Sequence, residues 1–479
     1  MSKTQPNIVV IISEQHRGDS LSCEGHPVLL TPNMDKIAGQ GVRFTKAYST
    51  CPVCIPARRS FLTGQFPSTH GVVGYVDVEW EGKTIAGELA KAGYQTAWIG
   101  RSMHQTPADK TFGFETNIFS DYRYPNDDYD QFIERNQPEG GGGYYGAGIM
   151  HNDWTARPFH LPEYLHHTNW TVNRALSWLK ERDINRPFFL VVSFVAAHPP
   201  LIPPAFYFDR YIRTGVPAPA IGDWAVPPEN NGIGLGVSSK RVNLKGEALL
   251  CARAGYYGLI NHLDDQLNRL LNDVDGVQAM TGNNTAVILT SDHGEMLGDH
   301  YCWRKSLPYE GAARIPVLMN LPKQFGIRPN TVVDVPVGLE DIMPTVLDLA
   351  GTTIPDSVDG KSLLPLLRGD SASRAGWRPY IHIEHSPVFH ALTDGKEKYV
   401  WFTNDGKEQL FDLINDPQEC HNLAEDPDYE KKLSAWRNIL IKELSGRPEG
   451  FTDGKKLIKG RSYPPQMNKT SKKRNKRKK

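Results

Sequence analysis

The sequence predicts an α/β fold built on a mostly parallel sheet covered on both faces. Three observations carry that prediction. Apolar runs bounded by turn residues recur at long intervals: NIVVIIS (7–13), YQTAWIG (94–100), FFLVVSF (188–194) and TAVILTS (285–291). Their unbroken apolar character fits strands buried on both faces rather than one. Amphipathic helical stretches lie between them. VNRALSWLKERD (172–183) is one, and the clearest spans about 253–273. There Tyr257, Ile260, Leu263, Leu267 and Leu270 keep the 3.6-residue spacing, while Asp264, Asp265 and Arg269 take the other face. Finally, each apolar run ends in chemistry. Glu14 and Gln15 follow the first, Arg101 and His104 the second, His198 the third, and Asp292 and His293 the fourth. Open α/β sheets bind ligands at the carboxyl ends of their strands, so these residues are expected to meet.

Segment 121–165, with EGGGGYYGAG inside it, reads as a long loop or lid rather than core. PPLIPPAFYFDRY (199–211) and 215–237 are Pro- and Gly-rich and also read as loops. RGDSASRAGWRP near 368–379 reads as a linker. Beyond it, YIHIEH, HALTD, KYVWFT and EQLFDL are short alternating strands, followed by a helix from about Tyr429 to Leu444. The expected organisation is a catalytic domain over 1–372, a small α+β domain over 373–460 and a basic, disordered tail over 461–479.

With 54 basic and 54 acidic residues among 479, no global field favours nucleic acid. Seven of the last ten residues are Lys or Arg, so any nucleic-acid or anionic-surface contact is expected of the tail alone. No stretch reaches the roughly 18–20 apolar residues a bilayer span needs, and no membrane partner is expected. The five-residue apolar run near the start is too short for a secretory leader, so a cytoplasmic location is expected, or a periplasmic or secreted one if a leader is missing. Six cysteines are too sparse for a disulfide framework.

The stretch CPVCIPARRSFLTG (51–64) is the most specific in the chain. Cys51 and Cys54 by themselves could be half a zinc site or a redox pair. No second C-x-x-C exists to complete a zinc site. The residues after Cys54 fit a longer pattern, C-x-P-[SA]-R-x-x-x-L-T-G, through Pro56, Ala57, Arg58, Leu62, Thr63 and Gly64. In this the chain resembles the sulfatase family. The resemblance extends to GHPVLLTPNMDKIAGQGVRFTKAYS (25–49), to SDHGEMLGDH and the following WRK and YEGAARIPVL (291–318), and to LFDLINDPQECHNLA (410–424).

That resemblance implies an alkaline-phosphatase-like α/β/α sandwich with a smaller C-terminal α+β domain. It implies a metal-dependent hydrolase of sulfate monoesters, acting on a sulfated saccharide or small organic sulfate. Cys54 would be oxidised to formylglycine by a maturase, and its hydrate would be the nucleophile. Glu14, Gln15, Asp292, His293 and residue 54 would hold one divalent ion, with calcium expected and manganese, magnesium or zinc as alternatives. Arg58 would orient the hydrate, His104 would assist it, and Arg101 and Lys305 would bind sulfate. His198 would bind substrate and protonate the leaving alcohol together with Lys305.

Three positions depart from the family's usual residues. Glu14–Gln15 stands where two aspartates are common, His293 where Asn is common, and GRSMH (100–104) where G-K-x-H is usual. Two other readings stay open at this stage. One is a phosphonate monoester or phosphodiester hydrolase of the same superfamily. The other is a catalytically silent carbohydrate-binding relative.

Overall fold

A computed structural model of the chain describes residues 5–104, 110–121, 126–229, 236–281, 285–368 and 374–467. Its strands are β1 (Asn7–Ser13), β2 (Val42–Phe44), β3 (Ala47–Tyr48), β4 (Gln95–Arg101), β5 (Thr116–Ser120), β6 (Phe188–Phe194), β7 (Thr285–Thr290), β8 (Val317–Asn320), β9 (Thr331–Val333), β10 (Val337–Gly338), β11 (Ile381–His385), β12 (Phe389–Thr393), β13 (Glu397–Phe402) and β14 (Glu408–Asp412). An eight-stranded sheet runs in the order β5-β4-β6-β1-β7-β8-β2-β9. Within it only β8 pairs antiparallel, against β7 on one side and β2 on the other. The four apolar runs are β4, β6, β1 and β7, which stand side by side and point the same way.

Every residue of β1, β6 and β7 is buried, because both faces are covered. Side chains alternate across a pleated strand. Val9, Ile11, Leu190, Val192 and Leu289 therefore enter one core, with helices Pro32–Gln40, His167–Glu181, Ala205–Thr214 and Gly246–Thr281. Ile8, Val10, Phe189, Val191 and Ile288 enter the other, with helices Cys54–Thr63, Ile85–Lys91 and Ile342–Leu349. Burying each such aliphatic side chain contributes about 1.5–3 kcal/mol, so the three layers are held chiefly by these two cores. The predicted α/β/α sandwich is the observed one.

After residue 374 the chain forms an antiparallel meander, β11-β12-β13-β14. Ile381, Ile383, Ala391, Val400 and Phe411 pack against Tyr48, Tyr309 and Ala312 of the main body. Leu392, Tyr399, Trp401 and Leu410 face helix Glu430–Leu444 instead. Residues 461–467, expected to belong to a disordered tail, return to the main body: Val73 N–H donates to Pro465 O at 2.8 Å and Met467 N–H to Gly71 O at 2.7 Å. Residues 468–479, with the basic run, lie outside the described residues, as do 369–373 of the expected linker.

Two loop expectations are corrected. Segment 121–165 contains a helix, Asp128–Asn136, and its Tyr129, Ile133, Tyr144 and Phe159 join Trp170 in a core of their own. Its glycines conceal these anchors in a compositional reading. The expected loop at 199–211 yields the helix Ala205–Thr214, which buries Phe208 and Tyr211 on the long helix. Strands β2, β3, β5, β8, β9 and β10 were not foreseen: five of them have at most four residues, too few to show a period, and β5 is an edge strand whose burial does not alternate.

The long helix, Gly246–Thr281, also completes its neighbour. Helix Pro32–Gln40 begins after Thr31, whose side chain makes no capping bond. The Asp264 carboxylate accepts instead from Asn33 N–H at 3.1 Å, Asn33 Nδ2 at 3.0 Å and Met34 N–H at 2.8 Å. A helix start leaves such N–H groups unpartnered, and buried ones are costly. Replacing Asp264 with Ala is expected to lower the unfolding free energy by about 1–3 kcal/mol in a urea titration. Asp264→Asn, whose amide nitrogen would face one of the donors, should recover only part of that. A midpoint equal to wild type for Asp264→Ala would show that the cap contributes nothing.

Candidate active site

The polar residues predicted at the strand ends converge, because β4, β6, β1 and β7 are neighbours in the sheet. Glu14 and Gln15 leave β1, Arg101 ends β4, His198 follows β6, and Asp292 and His293 follow β7. All are nearly inaccessible, with Glu14, Gln15 and His293 at 0% exposure. Gly100 sets the close approach of β4 to β6: its φ is +102°, and a Cβ there would lie 2.0 Å from Ser193 O.

Cys54 arrives from the other core as the first residue of helix Cys54–Thr63. It therefore sits where the unpaired N–H groups and the helix dipole favour negative charge. Its Sγ lies 3.2 Å from His293 Nε2. Two sets of ligand atoms each fall within 4.8 Å of one another and share Cys54: Glu14, Cys54 and His198, and Cys54, Asp292 and His293. Cys51 is buried nearby, and both thiols are free, so no disulfide joins them. Burial pushes the Cys51 thiol well above its ordinary range. It has the character of a core residue rather than a redox partner.

Arg58, one turn along the helix, enters the cluster with 1% exposure. Its Nε lies 3.3 Å from Asp292 Oδ2, its Nη2 3.7 Å from Glu14 Oε2, and its Nη1 donates to Ser193 Oγ at 3.3 Å. Arg101 Nε donates to Glu14 Oε2 at 2.8 Å, its Nη1 lies 3.2 Å from Asp121 Oδ1, and its Nη2 meets His104 Nε2. His104 lies 3.7 Å from Glu14 Oε1 and 3.7 Å from Asp121 Oδ2. Arg101 thus reaches the site with its charge directed at two carboxylates. Burial pushes the Glu14 carboxyl up, but Arg101 and Arg58 outweigh it and hold the group ionised, well below its usual range.

The imidazoles have assigned roles. His293 Nδ1 lies 3.0 Å from Gly294 O, an acceptor, so Nδ1 carries the proton and Nε2 turns a lone pair to Cys54. Burial holds its pKa at about 4, and the ring is neutral. His198 follows the same logic. Its Nδ1 lies 2.6 Å from Pro199 O, and its Nε2 accepts from Lys305 Nζ at 2.8 Å. Burial, with the Lys305 charge, holds it well below 6.5. Lys305 Nζ also donates to Gln15 Oε1 at 2.9 Å.

The donor set fits a divalent cation. Glu14 Oε1 and Asp292 Oδ2 are buried and accept no hydrogen bond. His293 Nε2 lies 3.5 Å from Asp292 Oδ2. Orphaned carboxylate oxygens beside an imidazole nitrogen are what such an ion satisfies.

Residues 6–352 match the Sulfatase family, and residues 298–445 match the family described as N-sulphoglucosamine sulphohydrolase, C-terminal. An arylsulfatase of Clostridium perfringens is 41% identical over 96% of this chain and 98% of its own. The chain belongs to the sulfatase family. A choline-sulfatase of Rhizobium meliloti is 31% identical over 89% of this sulfatase and 84% of its own chain. Among solved structures, the phosphonate monoester hydrolase of Agrobacterium radiobacter superposes with a TM-score of 0.76 at 25% identity, covering 91% of this chain and 95% of its own. This sulfatase is a sulfuric ester hydrolase with the alkaline-phosphatase-like architecture.

Every predicted site residue of the sulfatase lies in this one cluster. Sequence reasoning missed Asp121, Ser193, His151 and Glu295. Asp121 follows β5, so recognising that strand would have exposed it. His151 stacks on His198 with ring centroids 4.3 Å apart, from a segment read as a lid. A lone His in such a segment carries no sequence signal, and Glu295, although inside SDHGEMLGDH, was given no role there.

Arg58 is the countercharge between Glu14 and Asp292. Removing one member of a buried ionic group costs about 3–5 kcal/mol. Arg58→Ala is expected to lose that much stability in chelator-treated protein, measured by denaturant unfolding. Arg58→Lys should recover only part of it, since a single ammonium nitrogen replaces a planar guanidinium that spreads three nitrogens toward Asp292, Glu14 and Ser193. Stability unchanged in Arg58→Ala would show that the carboxylates do not depend on it.

Proposed function

We propose that this sulfatase hydrolyses sulfate monoesters through residue 54 in its formylglycine form, beside one divalent ion. The observation that carries the reading is the position of Cys54. It heads a buried helix, and its Sγ belongs to both ligand sets, with Glu14 and with Asp292 and His293. That sulfur marks where the oxygens of an oxidised residue 54 would stand. Glu14, Gln15, Asp292, His293 and residue 54 would hold the ion, with calcium expected from the oxygen-rich set. When bound, it supplies positive charge against an anionic ester that otherwise repels a nucleophile. Oxidised by a maturase, residue 54 offers a hydrated aldehyde. One hydroxyl takes the sulfuryl group as the ester oxygen leaves; the other then loses its proton, restoring the aldehyde and releasing sulfate.

The remaining work falls to this chain's side chains. Arg58 orients residue 54 from one turn away and holds Asp292 and Glu14 apart. Arg101 aligns Glu14 and sits at the edge of the sulfate position, and His104 supports it. Lys305 neutralises sulfate charge. Lys305 and His198 share a transferable proton: the ammonium holds it at rest, and the imidazole lone pair, 2.8 Å away, can receive it for the leaving alcohol. The substrate class is a sulfated saccharide or small organic sulfate. A phosphonate or phosphodiester preference is the competing outcome, drawn from the structural likeness to a phosphonate monoester hydrolase.

Peptide mass spectrometry of protein made with a maturase should find sulfur lost at residue 54 and retained at 51. Cys54→Ala should be inactive, and unmodified Cys54 in fully active enzyme would defeat the reading. Chelation should lower Tm and abolish turnover, and calcium should restore both. His198→Ala should lose about 10²–10⁴-fold in kcat on a sugar or alkyl sulfate, whose alkoxide needs a proton. It should lose far less on nitrophenyl sulfate. Lys305→Ala should lose activity on both. Equal losses for His198→Ala would reassign it to sulfate binding. Faster turnover of paired phosphonate monoesters than of sulfate esters would favour the competing preference.

A further inference from the structure

Glu295 has 3% exposure, and none of the chemistry above uses it. Its carboxylate is fully engaged. Oε1 accepts the Leu297 N–H at 2.8 Å and the Arg304 N–H, and Oε2 accepts from Gln15 Nε2. The two ends of a glutamine amide have nearly the same shape and opposite chemistry. Their orientation is therefore decided by partners. An ionised carboxylate only accepts, so Glu295 must face the nitrogen of Gln15. The oxygen is turned the other way, where it accepts from Lys305 Nζ at 2.9 Å, and the same ammonium reaches His198 Nε2 at 2.8 Å. Through Arg304 N–H, Glu295 also holds the residue just before Lys305.

We propose that Glu295 is a positioning residue of this active site: it fixes the Gln15 amide with its oxygen toward Lys305 and the ion, and pins the loop that carries Lys305. The inference rests on the metal-site reading given under Proposed function. In its absence either end of the amide would fit the space. A nitrogen turned inward would present N–H groups to an ammonium and a cation.

The arrangement permits a test by reversed polarity. In Glu295→Gln, the amide oxygen can still accept from Leu297 and Arg304, so the fold keeps its contacts. The new NH2 takes the place of Oε2 and meets the NH2 of Gln15. Relief requires the Gln15 amide to turn over, which damages the site. Gln15→Glu alone sets two carboxylates face to face. The double variant, Gln15→Glu with Glu295→Gln, restores one donor and one acceptor, with the total charge of the wild type.

The four mature proteins are compared by calorimetric titration of chelator-stripped enzyme with calcium, by kcat and KM on a sulfate ester, and by Tm in chelator. Glu295→Gln is expected to lose about 10–100-fold in calcium affinity and in kcat, with KM little changed. Its Tm in chelator should stay near wild type. The double variant should exceed both single variants in calcium affinity and in kcat. The proposal is overturned if Glu295→Gln matches wild type, or if the double variant is no better than the poorer single one. Wild-type enzyme that takes up no calcium or other divalent ion would defeat the metal reading alone. The same four proteins then decide the role of Glu295 through kcat/KM, where rescue by the double variant supports it and no rescue overturns it.

Discussion

The structure depends on a concentration of buried charge at one end of the sheet. Glu14, Asp121 and Asp292 are almost wholly removed from solvent, as are Arg58 and Arg101. Each buried ion alone would cost several kcal/mol. Here every carboxylate faces a guanidinium: Glu14 and Arg101 at 2.8 Å, Asp121 and Arg101 at 3.2 Å, Asp292 and Arg58 at 3.3 Å. These groups come from β1, β4, β5, β7 and the Cys54 helix, so no fragment of the sheet could balance them. The parallel order β5-β4-β6-β1-β7 is the arrangement that assembles them together. Two carboxylate oxygens still lack hydrogen bonds, and they lie beside the residue proposed as nucleophile. The chemistry is thus located at the point where electrostatic balance is least complete.

The C-terminal meander shares in this constraint. Lys398, with 0% exposure, donates to Pro308 O at 3.0 Å and to Glu419 at 2.8 Å, and pairs with Glu310 at 2.8 Å. Tyr309 donates to Gln409 at 2.9 Å, and Glu310 N–H to Glu419 at 2.7 Å. These contacts hold the segment just after Lys305. Glu384 N–H reaches Thr50 O at 2.8 Å, and Ser306 N–H reaches Pro52 O at 2.9 Å, which ties in the approach to Cys54 as well. A sheet remote in sequence therefore holds the loops that carry a proposed acid and a proposed nucleophile. Its apolar face on Tyr48 and Tyr309 makes that support a packed core rather than a hinge.

Much of this was legible in the sequence because burial on two faces leaves a plain mark. The runs at β1, β4, β6 and β7 are continuous and apolar, and each ends where polar residues begin. The residues that follow them are the site. The alternating strands after 380 were equally readable, since each exchanges sides between two cores. The edge strand β5 left no comparable trace: four of its five residues are only partly buried, without alternation, and Asp121 was lost with it. The aromatic anchors of 121–165 were masked by glycines that serve the turns between them. Glu295 acts through Gln15, and His151 touches the site only by stacking on His198. Glu295 lies inside the quoted SDHGEMLGDH stretch, but its partner Gln15 is 280 positions away, so the stretch gives no sign of which residue it holds.

The departures from the family's usual residues are joined in space. Glu14 and Arg101, both longer or bulkier than the aspartate and lysine common at those places, meet each other through Nε at 2.8 Å. Gln15 meets Glu295 on one side and Lys305 on the other. A neutral amide in place of a carboxylate removes one negative charge near the proposed ion, and Glu295 returns one just behind it, where it can polarise the amide without competing for the cation. Without Arg101, Glu14 would keep only the more distant Arg58 and His104, each at 3.7 Å, and the Gln15 amide without Glu295 could present either end. Taken as pairs, these residues conserve charge and shape within the cluster. The residues at 14, 15 and 101 each have buried partners within the cluster, which argues against decay toward a silent binding protein.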